Sequence, residues 1–467
     1  MLIVASKKIG GLSRPHYSWQ RWRGSLPWPL SERAGTLYRA GERHSVQSNR
    51  KDVLPSSLNA LHQIKSQADK ASSTTEGGGV AIRSSQVAII GDGAGALITL
   101  GVLQTAGISA ENIAIYGSSP HPLAQLTQRM SYIGQQHMRS EGTSHLAPRD
   151  FPSLVWRDAW ERRNPGLLLT ALFDAYTPPV RQLLAHSLRL AEKLRFTACQ
   201  VWSRVGLLRR DGNWLLIEDE QGNEIGRTQH AILTLGHGGL HRPFPHASHA
   251  YQPHIIPKGS HVVILGGGLA AAHLWDKALN ANATVTTLTR HPLRYQPLNA
   301  PRNQFSTAAI QPYQAASEGQ RLTQLKVVQR GSIRWQWGRA RRLQNAQRRG
   351  AWHHRQADVA RLIPTDSGVT VCLADGSEFS ADQAICATGF DPNPCAHPLI
   401  HTLIQTGQAH LINRYLAVNN NFTLSPISQP DSLVGVIGAA ARWALPIADT
   451  FAGLKYAARR LALEITA

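Results

Sequence analysis

The stretch VAIIGDGAGALITL, residues 87–100, decides how the rest of the chain is read. Its opening, extended back to Gln86 as QVAII, is short, apolar and β-branched, the pattern of a buried parallel strand. Glycines follow at once, and LITLGVLQTAG continues at helical spacing. NIAIY then reads as a second strand. Strand, glycine turn, helix and strand within about thirty residues form one βαβ unit. Gly91, Gly93 and Ala96 match the spacing G-x-G-x-x-G/A. Gly91 permits the tight turn, Gly93 admits a pyrophosphate to the backbone, and Ala96 keeps the helix close to its strand. Gly95 belongs to the same turn. A pyrophosphate here would rest on helix-terminal N–H groups at the positive end of the helix dipole. Such a unit usually ends its second strand with Asp or Glu, which binds a ribose hydroxyl. This chain has Gly117 there, followed by Ser118 and Ser119, so the Ser118 hydroxyl becomes the candidate ribose contact.

The unit recurs. HVVIL, residues 261–265, is again a buried strand, and GGGLAAAHLW repeats the spacing with Gly266, Gly268 and Ala271. TVTTLTR follows as the next strand. From Gly91 to Gly117 is 26 residues and from Gly266 to Arg290 is 24, so the two units share their internal geometry. The end of the second strand carries Arg290, with His291 and Arg294 close by. An acid at this place would select NADH. A planar guanidinium instead matches the oxygens of a 2′-phosphate, which points to NADPH.

The totals agree with a globular chain of two or three domains. It has 467 residues, 42% of them hydrophobic, and no apolar run long enough to span a bilayer. Lys and Arg number 49 against 29 for Asp and Glu, a formal charge of +20 that suits anionic partners. The four cysteines, Cys199, Cys372, Cys386 and Cys395, form no CxxC pair, which argues against a dithiol centre or zinc knuckle. Residues 1–84 form a leader rich in Arg, Ser and Gln and poor in acids, with Trp19, Trp22 and Trp28 among its arginines. It reads as a disordered extension of a cytoplasmic protein; an organellar transit peptide is the alternative.

Two dinucleotide units in one chain, the second inserted into the first, resemble the flavoprotein oxidoreductases that carry FAD and NAD(P)H domains. DGNWLLIEDEQGNEIGRTQHAILTLG, residues 211–236, looks like the β-ribbon whose last strand returns to the FAD sheet, and VTVCLADGSEFSADQAICATGFDPNP repeats that plan. ATGF, residues 387–390 with Thr388 and Gly389, resembles the ATG-F/Y motif of flavin-containing and lysine/ornithine N-hydroxylating monooxygenases, where it links the two domains. LVGVIGAAARWALPIADTFAGLKYAARRLA looks like the closing strand and helix of those enzymes. Gly438 would end the strand, and a helix from Pro446 would point at the flavin. QHMRSEGTSHLAP, residues 136–148, resembles a segment of bacterial FAD/NAD(P)-binding proteins related to the N-hydroxylases, matching at His137, Arg139, Ser140, His145 and Pro148. That makes Arg139 the candidate charged group beside the flavin or the NADPH phosphate.

The resemblance therefore implies an α/β fold with two Rossmann-like domains: FAD on 85–250 and 378–467, and NAD(P)H on 258–377. It also implies an enzyme passing hydride from NADPH to FAD and then oxygen to a small amine or other soft nucleophile. The F-x-G-x-x-x-H signature of flavin-containing monooxygenases is not met; PFPHASHAY stands near its place. A reductase without oxygenation, or a degenerate nucleotide-binding scaffold, stays open. The stretch 334–355, with interleaved Arg and Trp, has the vocabulary of single-strand nucleic-acid binding, but a solvated basic face beside an NADPH site explains it equally. His246, His249 and His254 lack neighbouring carboxylates or cysteines, so no metal is expected.

Overall fold

The computed structural model describes residues 82–139, 146–148, 154–172, 176–295, 304, 306–327, 333 and 337–467. Nearly all of the leader, Ser140 and His145, and the start of the Arg/Trp stretch lie outside the described residues.

A first sheet runs β3-β2-β1-β6-β5-β4, with β17 also on β6. Its members are β1 (Arg83–Ile90), β2 (Ile113–Tyr116), β3 (Gln200–Val201), β4 (Val205–Asp211), β5 (Trp214–Asp219), β6 (Glu224–Leu233) and β17 (Val434–Val436). Strands β1, β2, β3, β6 and β17 are parallel, while β4, β5 and the start of β6 form an antiparallel ribbon. The two-residue turn Gly212-Asn213 closes the ribbon, with Gly212 at φ +57°. Strand β6 serves both: Gly226–Thr228 pairs with β5, and Ala231–Leu233 pairs with β17. Val87–Ile90 is buried on both faces, which is why it reads as an unbroken apolar run.

A second, fully parallel sheet runs β10-β9-β8-β14-β7, from β7 (Ser248–His249), β8 (His261–Leu265), β9 (Thr284–Thr289), β10 (Trp352–Gln356) and β14 (Gln383–Cys386). The ribbon β11 (Val359–Thr365), β12 (Gly368–Leu373) and β13 (Glu378–Ala381) packs on it. This shifts the division expected from sequence. Strands β7 and β14 pair within the second sheet, so the chain enters it before residue 250 and leaves it after 386, not at 377. The reason is burial: Ala384–Cys386 is an apolar strand that only a central parallel position covers on both faces.

Helix α1 (Ala94–Thr105) follows β1, and α2 (Ala124–Ile133) follows β2. Helix α3 (Leu269–Asn280) follows β8, α4 (Trp337–Arg348) precedes β10, and α5 (Phe451–Thr466) closes the chain. Helix α1 is apolar on nearly every side because it lies between the first sheet and α5; Leu97, Ile98, Leu100 and Leu103 are fully buried. Each such side chain contributes about 1.5–3 kcal/mol. No helix among the described residues is long and apolar enough to cross a membrane.

Candidate functional site

The two glycine turns are built alike. Gly91 sits at φ +105° and Gly266 at φ +127°, conformations that disfavour any side chain. A Cβ on Gly91 would lie 2.7 Å from the Thr234 carbonyl oxygen, and one on Gly266 would lie 2.6 Å from that of Ala387. Each turn is thus pressed against the strand that returns to its sheet, β6 in one case and β14 in the other. Gly91 N–H donates to Tyr116 O and Gly266 N–H to Leu288 O, both at 2.9 Å, which fixes the turn against the next strand.

Gly93 and Gly268 are the N-caps of α1 and α3, both extended (φ −83°, ψ −163° and φ −95°, ψ −165°). A Cβ on Gly93 would point into open space, with Pro122 O at 4.0 Å its nearest neighbour. Backbone conformation does not require glycine at 93, and the missing side chain leaves the N-terminus of α1 open. Ala96 and Ala271 are fully buried, as their role in helix–sheet packing requires. Gly95 faces inward, where a Cβ would meet Thr234, Ile437 and Leu454 within 3.3–3.8 Å. Its role is close packing of α1 against the sheet and α5.

β2 runs directly into Gly117, Ser118 and Ser119. Ser118 is exposed, and the next hydroxyl is the one engaged. Ser119 N–H donates to Asp92 Oδ2 at 2.5 Å and Ser119 Oγ donates to Asp92 Oδ1 at 2.9 Å. The Asp92 carboxyl lies over Gly117, where a Cβ would overlap it. At the second turn the equivalent of Gly117, counted from the Leu288 and Tyr116 carbonyls, is Thr289; Arg290 is one residue further. Thr289 Oγ1 is 2.8 Å from His354 Nε2. The Arg290 side chain is exposed beside the turn, and its carbonyl accepts from Gln356.

The ATGF segment is a junction. Thr388 Oγ1 donates to His241 O at 2.5 Å, and Gly389, at φ +79°, presents its carbonyl to His249 Nε2 at 3.1 Å. Phe390 stacks between His237 (4.0 Å) and Tyr251 (5.2 Å), with the Arg129 guanidinium over its face at 4.9 Å. This stack ties the Gly236 turn after β6 to the segment after β14, and composition gave no sign of it.

Gly438 (φ +83°) lies two residues beyond β17 and opens a 3-10 turn, Ala439–Trp443. The expected helix from Pro446 is not there; α5 starts at Phe451. Thr450 caps it by accepting from Gly453 N–H at 3.1 Å, so the first dipole beside Gly438 is only a five-residue turn. A shallow cleft of about 40 Å³, open to solvent, lies between this turn and the Gly236 turn, with Asp391, His397, Arg414 and Arg442 in its wall.

Arg139 is buried, and its charge, with those of Arg339 and His137, acts on His273 of α3. Burial first, then these cations, pushes His273 down to about 3. Burial likewise pushes His249 down to about 4, against the favourable bond to Gly389. Both histidines are neutral in the fold at pH 7. Below pH 6.5 the unfolded chain takes up protons that the folded chain refuses, so stability present above pH 6.5 is lost towards pH 4 for His249 and pH 3 for His273. Each group contributes a slope of at most about 1.4 kcal/mol per pH unit. Urea midpoints measured from pH 7 to 4 should fall, and H249Q should flatten that fall; parallel curves would contradict this.

Two groups that the sequence reading discounted are engaged within the fold. Arg339 and Arg342 of the basic stretch bind Asp276 on α3, at 2.9 and 3.4 Å, so part of that basic face is used within the fold. His249 and His254 bond to Gly389 O and Gln252 O respectively. Among the described residues no group of three or more His, Cys, Asp or Glu could hold a metal.

No protein-family model matches the chain, and no curated protein matches it by sequence. Solved structures do match. The ornithine N-hydroxylase of Kutzneria sp. 744, solved with reduced FAD, NADP+ and L-ornithine, aligns over 82% of this chain and 99% of its own at 15% identity and TM-score 0.65. A flavin-containing monooxygenase from Stenotrophomonas maltophilia aligns over the same shares at 18% identity and TM-score 0.55. The bacillithiol disulfide reductase of Bacillus cereus does so at 14% and 0.52. At such identities the likeness is one of fold: a mixed α/β chain with parallel sheets, arranged as in these solved structures.

Proposed function

We propose that the chain is a FAD- and NADPH-dependent oxidoreductase built of two dinucleotide-binding lobes, one inserted into the other, and that it oxygenates a small amine or other soft nucleophile. The observation that carries this is the duplicated turn. Two left-handed glycines are each pressed on a returning strand, and each is followed by an extended glycine at a helix N-terminus. The residues fit the groups. The open face of Gly93 is a cradle that a Cβ would fill, and the exposed Arg290 side chain has no carboxylate partner among the described residues to compete with a phosphate.

When bound, FAD and NADPH supply hydride transfer and the activation of oxygen; the chain's own residues bind, orient and exclude water. The amides of the α1 and α3 first turns hold the two pyrophosphates. Arg290 takes the 2′-phosphate. Arg139 sets a positive charge between the first lobe and α3. The Phe390 stack fixes the crossing between lobes, so that the two nucleotides keep one relative orientation. The cleft between the Gly236 turn and Ala439–Trp443 is where the substrate approaches. Its Asp391 and Arg442 offer one charge of each sign.

The unmet F-x-G-x-x-x-H pattern and the likeness to a disulfide reductase favour, as the second reading, a reductase without oxygenation. No CxxC pair exists to serve it, and Cys199, Cys372 and Cys386 are buried. Oxygen consumption with NADPH, measured with a panel of primary amines and scored for hydroxylated product against hydrogen peroxide, separates the two. Amine-dependent uptake with oxygenated product supports the proposal; NADPH oxidation that is indifferent to every amine and to oxygen but runs with an added electron acceptor supports the reductase.

A further inference from the structure

The acid that holds a ribose in this kind of unit normally stands at the end of the second strand, and here that position is Gly117. We infer that Asp92, inside the glycine turn, has taken over this task, so that the first turn itself supplies the ribose-binding carboxylate. The inference rests on the reading of the first unit as a nucleotide site.

Three observations carry it. First, the Asp92 carboxyl occupies the volume directly over Gly117: a Cβ there would overlap Asp92 Cγ and Oδ2 and lie 2.5 Å from Asp92 Cβ. An acid at 117 and the acid at 92 therefore exclude one another sterically. Glycine at 117 is the counterpart of Asp92, not the loss of a ligand. Second, the carboxylate is held from behind. Ser119 donates its N–H to Oδ2 and its hydroxyl to Oδ1, one bond to each oxygen. A carboxylate oxygen accepts about two bonds, so each keeps one acceptor site. Third, Asp92 is half-exposed and adjoins Gly93, whose open face is the pyrophosphate approach. A group beside the pyrophosphate cradle, over the end of β2, with two acceptor sites free, is placed for a vicinal diol. The second turn supports the contrast. Its residue equivalent to Asp92 is Gly267, where a Cβ would meet Leu293 and Thr289 at 2.8–2.9 Å, so that turn has no room for the arrangement.

The test uses the full-length protein, freed of bound nucleotide, and measures Kd for FAD, for ADP and for 2′,3′-dideoxy-ADP by competition. The wild type should prefer ADP to the dideoxy analogue by about tenfold to a hundredfold, the effect of charge-assisted hydrogen bonds. D92A should weaken FAD by a similar factor and bind the two ADP forms equally. D92N, which keeps one carbonyl acceptor, should fall between. D92G/G117E, which removes the overlapping Cβ and returns the acid to the strand end, should regain most of the loss. The inference is overturned if the wild type ignores the missing hydroxyls, or if D92A binds FAD as well as or better than wild type. Should D92A fail to fold, wild-type discrimination decides alone. A wild type that binds neither FAD nor ADP overturns the proposed function as well, an outcome distinct from FAD binding that is indifferent to position 92.

Discussion

Gly93→Val is expected to raise the Kd for FAD by at least about a hundredfold while leaving the protein folded. The backbone at Gly93 is extended, a conformation valine adopts freely, and its Cβ direction is empty to 4.0 Å. The apoprotein therefore meets little strain. The side chain would occupy the space through which a pyrophosphate reaches the first-turn amides of α1. Losing two charge-assisted hydrogen bonds of about 1.5–3 kcal/mol each removes at least 3 kcal/mol, or about two decades of affinity. Gly91→Ala is the contrasting case. Its φ of +105° and the Thr234 carbonyl at 2.7 Å mean that a methyl group costs stability first, by about 1–3 kcal/mol, with or without ligand. Isothermal titration with FAD and thermal melts of both apoproteins check the pair. G93V with normal FAD affinity would show that the open face is not a ligand approach.

Arg290→Ala is expected to weaken NADPH by about tenfold to a hundredfold and to leave NADH within about twofold. The guanidinium is exposed beside the Gly266 turn, with His291 and Arg294 nearby in sequence, and its neighbour Thr289 is occupied by His354. A 2′-phosphate paired by a planar fork gains about 1.5–3 kcal/mol, and NADH lacks that group. The measurement is the Kd of each nucleotide, or the KM of flavin reduction, in wild type and variant. Equal losses for NADH and NADPH would place Arg290 outside the 2′-phosphate contact.

Both glycine turns were legible because their requirements are local: a left-handed residue, an approach without Cβ, and a helix starting at once. Both β-ribbons were legible from short alternating strands and turn signals. Legibility failed where the deciding contact was distant in sequence. Nothing in GDGAGA says that Asp92 will lie over Gly117, 25 residues on, so the missing acid read as a defect. The bonds from Ser119 to Asp92 were hidden for the same reason. The apolar strand QAIC reads alike whichever sheet takes it, and only pairing with β8 places it in the second. The closing helix was set at Pro446 by the resemblance to the monooxygenases' closing segment; the Thr450 cap, with its bond to Gly453, decides otherwise. The stack of Phe390 with His237 and Tyr251 joins residues from separate loops, each unremarkable alone.

The most direct measurement is the visible absorption spectrum of the purified full-length chain, incubated with FAD, desalted, and then mixed with NADPH or NADH without oxygen. The duplicated turns and Arg290 together predict a retained flavin spectrum that NADPH bleaches far faster than NADH, with colour returning when air is admitted. A colourless protein after desalting, at FAD concentrations that saturate flavoproteins of this fold, would contradict the account at its root: the first glycine turn would then hold its shape without holding a nucleotide.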